Sequence, residues 1–117
     1  MINILNALEF RSFKPDEVIY NEMDESLEIL FVYQGKYDVG YEINKKAFYR
    51  RQFGPSTIIG GFEICYGRRF NFIYKAHTPL QCLAIRKMHY FRICEEFPQL
   101  HIQMKLKFWE HFSQAVY

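Results

Sequence analysis

The chain has 117 residues, 50% apolar, 24% charged and 19% aromatic, and 15 basic against 13 acidic side chains leave a net charge of +2. A chain of this length buries roughly 65% of the surface its unfolded form exposes, so a packed core needs neither disulfides nor metal. The composition excludes low-complexity disorder, collagen and a pure coiled coil. The weak charge implies neither nucleic acid nor an anionic membrane, and the wealth of Phe and Tyr leans toward sheet.

Ile2, Ile4, Leu5, Leu8 and Phe10 fall close to a helical period, which predicts a short helix over residues 2–10. Pro15 and Asp16 break the chain before a short strand at Val18, Ile19 and Tyr20. Over 27–33, Leu27, Ile29, Phe31 and Tyr33 alternate with Glu28, Leu30 and Val32, a strand with one face buried. Gln34 and Gly35 make a turn, after which Tyr37, Val39, Tyr41 and Ile43 alternate with Lys36, Asp38, Gly40 and Glu42; the two runs predict a hairpin. The next turn, at Asn44, Lys45 and Lys46, leads into a third strand over 47–53 that Gly54 and Pro55 close. Residues 56–60 form a short apolar strand ending at Gly60 and Gly61, and 62–69 hold a helix-sized piece followed by Gly67, Arg68 and Arg69. Strands over 70–76 and 80–85 flank His77, Thr78 and Pro79. Seven or so short strands with regular turns predict an antiparallel sandwich or roll.

Beyond Arg86 the period becomes helical. Met88, Phe91 and Ile93 or Cys94 mark one helix, and Pro98 suits the first turn of a second, where its missing N–H costs nothing. In that last helix Leu100, Met104 and Phe108 form one stripe, while Ile102, Leu106 and Trp109 lie away from it. One face is expected to cover the roll and the other to meet something outside this chain. No apolar run approaches the ~20 residues of a membrane span. Met1 is followed by neither a basic region nor a long apolar core, so a cytosolic chain or fragment is expected. Cys65, Cys82 and Cys94 make no C-x-x-C pair, and His77, His89, His101 and His111 no H-x-H or H-E-x-x-H pattern. Buried free thiols and no metal site are expected, and no nucleophile sits with a base, so an enzyme is not expected.

A helix, an antiparallel roll with one short inserted helix and two closing helices resembles the cyclic nucleotide-binding domain, over nearly the whole chain. The segment from Phe13 to Ile19 is similar to that family's opening turn, and the run from Ile29 to Gly35 with Tyr37 and Val39 to its hairpin. Gly54 sits where the family has the glycine before its phosphate cassette, and the Glu95-Glu96-Phe97-Pro98 ending resembles the family's final helix. The wording from Gly35 to Lys46, and Ile59-Gly60 with the stretch from Phe72 to Ala76, most resembles the cytoplasmic domains of ciliate potassium channels. The resemblance implies a mainly β fold, a jelly-roll-like antiparallel roll over about 11–86. An N-terminal helix, an inserted helix in the cassette and two C-terminal helices over about 87–117 complete one domain spanning 1–117. It also implies the cytoplasmic part of a membrane protein, without a span of its own or a nucleic-acid partner. The implied partners are the channel's helical linker and neighbouring subunits, and homo-oligomers form through the last helix.

The resemblance implies cAMP or cGMP as ligand, held by the backbone N–H groups of the short helix, by an arginine on the phosphate and by a glutamate on the ribose. Counting back from Ala76 without gaps, the family's Gly and Glu fall on Gly60 and Gly61, its arginine on Phe70 and a small neighbour on Phe72, with Asn71 between. The cassette is then degenerate, because a buried phosphate without its arginine is an unpaired charge. The Phe72 ring would crowd the ligand space. A register shifted by two instead uses Phe62 and Glu63 with Arg68 or Arg69 as the phosphate contact. Expected on the same sequence are an exposed loop for Glu63 and both arginines, and a bulge or tight turn at Gly60 and Gly61. Tyr37, Tyr41 and Tyr49 suit core or rim packing better than base stacking. Ile102, Leu106 and Trp109 suit helix packing and a subunit contact equally.

Overall fold

The structure, a computed structural model, describes residues 4–116, with side chains described over 6–113. It begins with α1 (Ile4–Ala7), followed directly by β1 (Leu8–Phe13) and β2 (Val18–Tyr20). Next come β3 (Glu28–Gln34), β4 (Tyr37–Ile43), β5 (Lys46–Phe53), β6 (Thr57–Ile59) and the short α2 (Gly61–Tyr66). The chain closes with β7 (Ile73–Ala76), β8 (Leu80–Arg86), α3 (Lys87–Glu96) and α4 (Pro98–Val116).

The strands form two four-stranded antiparallel sheets, in the orders β1-β8-β3-β6 and β2-β7-β4-β5. Their inner faces close on Leu30, Val32, Tyr37, Val39, Phe70, Tyr74, Leu80 and Cys82, all buried. The outer face of the first sheet supplies Ile29 and Ile85 to a second cluster, which α2, α3 and α4 cover with Phe62, Ile64, Tyr90, Ile93 and Phe108. β3 lies between both clusters, so Leu30 and Val32 are buried on one side and Ile29 on the other. Its ends emerge into solvent at Leu27 and Tyr33.

Three expectations need correction. The helix over 2–10 is cut to Ile4–Ala7, with residues 2 and 3 outside the described residues, because Leu8–Phe13 pairs along its length with Leu80–Ile85. An apolar spacing that suits a helix yielded to a full ladder of sheet hydrogen bonds. The roll accordingly starts at Leu8 rather than near 11. The runs on either side of Gln34-Gly35 are not a hairpin: β3 pairs β6 and β8, and β4 pairs β5 and β7, so the chain changes sheet at this turn. The hairpin is β4–β5, whose turn places Asn44 and Lys45 at φ 53 and 64, the left-handed geometry that matches strand twist. The strand predicted over 70–76 begins only at Ile73, because the Phe70 backbone bonds back to Met23 and Asp24.

Candidate functional site

The site is built where α2 and α4 meet the open end of the roll. α2 starts at Gly60, which sits at φ 90 and has no space for a side chain: a Cβ there would lie 2.6 Å from the Glu28 carbonyl oxygen and 2.6 Å from Ser26 Oγ. The Ser26 hydroxyl donates to the Gly60 carbonyl at 3.1 Å and ties the turn to the start of β3. At the other end Gly67, at φ 63, closes α2, and the Arg68 N–H donates to the Glu63 carbonyl at 2.8 Å.

Phe108 of α4 lies directly over Gly61. A Cβ on Gly61 would fall 2.6–2.8 Å from three atoms of the Phe108 ring, which is 1% exposed. One turn on, the Phe112 ring stacks on Phe62 at 3.8 Å, and Trp109 packs on Phe62 and Tyr66 at 5.8 and 6.4 Å. Below them a cavity of about 30 Å³ remains, bordered by Tyr37, Thr57, Glu63, Tyr74, His111 and the rings already named. That volume holds about two waters, against the ~300–1,000 Å³ of ordinary ligand pockets. No Arg or Lys borders it. The Tyr37 hydroxyl and Thr57 Oγ1 bond at 2.7 Å, and Thr57 in turn donates to the Gly54 carbonyl at 2.8 Å.

The sequence-predicted residues divide between this cavity and the surface. Gly60 and Gly61 cap and open α2, and Phe62 and Glu63 are buried in its first turn. Phe70, at the position the ungapped count gives to the phosphate arginine, is fully buried, stacked on Tyr20 at 4.1 Å and edge-on to Tyr74 at 5.3 Å. Asn71 is exposed. Phe72 does not border the cavity; half-buried, it packs against the roll core, and the phenylalanine rings that border the cavity are Phe53, Phe62, Phe108 and Phe112. Arg68 and Arg69 are exposed as expected, but Glu63 is not a loop residue: it is 5% exposed. Burial without a basic partner pushes its carboxyl up to about 7, which its own backbone N–H only partly offsets. Burial likewise holds His111 below its usual range, helped by Lys107.

Glu63 borders a second space, a surface cleft of about 220 Å³ shared with Glu25, Ser26, Arg68, Arg69 and Lys87. There Arg69 donates to the Met23 carbonyl at 3.0 Å and Lys87 pairs with Glu25 at 3.3 Å. Sequence reasoning missed the α4 contribution, because Phe108 and Phe112 stand nearly fifty residues from Gly61; their only signal was an apolar stripe. Of the tyrosine stripe, Tyr37 is core, Tyr41 stacks on Phe48 and Tyr49 lies under Lys75 at 4.5 Å. Cys82 is a buried free thiol and Cys65 and Cys94 are half-buried ones. No helix among the described residues is long and apolar enough to cross a membrane.

No protein-family model matches the sequence, and no curated protein matches it. Solved structures do. A Geobacter metallireducens protein described as cyclic nucleotide-binding is 16% identical, with a TM-score of 0.75 over 97% of this chain and 83% of that one. A transcriptional regulator from Thermotoga maritima is 20% identical, with a TM-score of 0.77 over 97% of this chain and 89% of that one. The cAMP-bound PfPKA-R, 19% identical with a TM-score of 0.69, matches 77% of this chain but only 32% of its own length, as one module of a larger protein. What these likenesses establish is the fold: the chain has the mainly antiparallel β-roll of cyclic nucleotide-binding domains.

Proposed function

We propose that this is a non-catalytic regulatory domain in the cytoplasmic part of a potassium or cation channel, and that its pocket is filled by its own side chains. The observation that supports this reading is Phe108 seated on Gly61 with Phe70 stacked on Tyr20: in the ungapped register these are the positions that the resemblance gives to the family's glutamate and arginine, and both are packed with aromatic carbon. A cyclic phosphate entering this site would lose its water and gain no cation, a cost of several kcal/mol that removes micromolar affinity. The channel context rests on the ciliate-channel resemblance of residues 35–46 and 72–76.

The domain then regulates by packing. α4 has an inner stripe on the roll and an outer stripe of Ile102 and Leu106, 57% and 62% exposed, beside Trp109, which packs one side on Phe62 and Tyr66 and keeps 43% of its surface exposed. Contacts of that outer stripe with the channel's linker or a neighbouring subunit supply the free-energy difference that biases the pore. The test is calorimetric titration with cAMP and cGMP to millimolar ligand, with thermal melting alongside. No heat and an unchanged melting temperature are expected. Saturable binding would overturn the reading, since a ligand at 100 times its dissociation constant adds about 2.7 kcal/mol to folding.

One observation favours a second reading, a working cAMP or cGMP site in the shifted register: Glu63, Arg68 and Arg69 do border a common cleft. Under it, Arg68→Ala with Arg69→Ala abolishes binding that the parent chain shows.

A further inference from the structure

We propose that the free edge of β5, with the cationic face beside it, docks an extended acidic segment of a partner protein, which adds to the second sheet as a further strand. β5 is the longest of the four edge strands, eight residues against six in β1 and three each in β2 and β6. Among the described residues, no backbone bond other than the ladder with β4 engages residues 46–53. β7 pairs with β4 only from Tyr37 to Gly40, so beyond Gly40 the β4–β5 hairpin is a two-stranded ribbon. Such a ribbon is marginal in water and gains from a third strand. Its β4 side is already capped, because the Glu42 N–H donates to the Glu22 carboxylate at 2.6 Å; its β5 side is open.

Charge selects the occupant. Cross-strand register puts Lys46, Phe48 and Arg51 on the face that carries Tyr41 and Ile43. Arg50, the extra residue of the bulge opposite Val39 and Gly40, joins them by donating to the Tyr41 hydroxyl at 3.0 Å. Lys46 stands 5.7 Å from the Phe48 ring and Arg50 5.7 Å from the Tyr41 ring, and the two rings stack at 6.0 Å. Lys46, Arg50 and Arg51 are exposed, and among the described residues no ion pair engages them. The β1 edge differs, because its charges are spent: Arg11 pairs with Glu28, and Glu9 with Arg86. A second copy of β5 brought to this edge would set cations against cations, which protects an edge from its own kind. An acidic strand meets the opposite, with a carboxylate at every second residue facing these three cations. An anionic lipid surface or a nucleic acid would use the cations and leave the strand edge unpaired. The proposal rests on neither reading of the nucleotide pocket.

The probe is a fluorescein-labelled peptide of about ten residues that alternates Glu with Val and Thr, titrated with the full chain and read by anisotropy, with amide hydrogen exchange alongside. Saturable binding is expected, weakened about tenfold between about 50 and 500 mM salt, with slowed exchange within 46–53. Arg50→Glu with Arg51→Glu should weaken it at least about tenfold with an unchanged circular dichroism spectrum, since both side chains are exposed. Lys46→Glu, which leaves the bond from Arg50 to Tyr41 in place, should weaken it as well. Methylating alternate backbone nitrogens on the pairing edge of the peptide removes its donors and keeps its charge, and should also cost about tenfold. No binding at about 1 mM peptide, equal binding of the methylated peptide or by the charge-reversed chains, or slowed exchange elsewhere than β5 would each overturn it. So would tighter binding of phosphatidylserine vesicles or single-stranded RNA than of the peptide.

Discussion

An alanine at position 61 should destabilise this protein, against the usual sign for a helical glycine. Gly61 opens α2 without a positive φ, and replacing such a glycine by alanine ordinarily adds about 0.5–1 kcal/mol. Here the new methyl would lie 2.6–2.8 Å from the Phe108 ring. That ring is 1% exposed and packed against Tyr90 at 6.1 Å, so it cannot turn aside and α4 has to move. Overpacking of this kind costs about 1–3 kcal/mol, which outweighs the propensity gain and leaves about 1–2 kcal/mol of net loss. At this chain length the melting temperature falls by about 4–8 °C. Urea unfolding followed by circular dichroism measures it, in the parent and in Phe108→Leu and Phe108→Ala backgrounds. Phe108→Ala alone costs about 3–5 kcal/mol. Once the ring is gone, Gly61→Ala should become neutral or stabilising, a coupling of about 1–3 kcal/mol. A neutral or stabilising Gly61→Ala in the parent, or an equal penalty in all three backgrounds, would refute the placement of Phe108 on α2.

Glu63 sets a pH dependence. Its carboxyl, raised to about 7 in the folded chain from an ordinary 4.5, binds its proton more tightly folded than unfolded. The stability it contributes is whole below pH 4.5 and is lost as pH rises to about 7, a fall on the order of 3 kcal/mol. Urea unfolding at pH 5 and pH 8 should show that fall in the parent and its absence in Glu63→Gln; equal slopes would disprove the burial. Gly60→Ala and Gly67→Ala both place a methyl on left-handed backbone, at about 1–2 kcal/mol. Only Gly60→Ala also meets the Glu28 carbonyl, so it should melt well below Gly67→Ala, whose Cβ has nothing within 4 Å. Tyr37→Phe leaves Thr57 without its 2.7 Å partner and should cost about 1 kcal/mol in the same assay.

The class of fold was legible in the chain. Period-two alternation along 37–43, turn residues at Asn44-Lys45 and Gly54-Pro55, and the change to a helical period after Arg86 are local signals, because a side chain's direction follows from its own backbone. The inner stripe of the last helix, Leu100, Met104 and Phe108, was legible for the same reason, whereas Trp109, read as lying away from it, packs on Phe62 and Tyr66 of α2. Which strand pairs with which was not. Alternation is the same whether β3 turns back on β4 or crosses to β8, and the choice depends on which pairing buries both faces of β3 at once. Leu8–Phe13 became a strand because β8 offered it a ladder. Glu63 was expected in a loop and lies buried because α4 folds over it. Phe108 meets Gly61 across forty-seven residues of chain, a contact that exists only once the roll has placed α2 and α4 side by side. Direction and period are properties of a segment; occupancy of a cavity is a property of the packed whole.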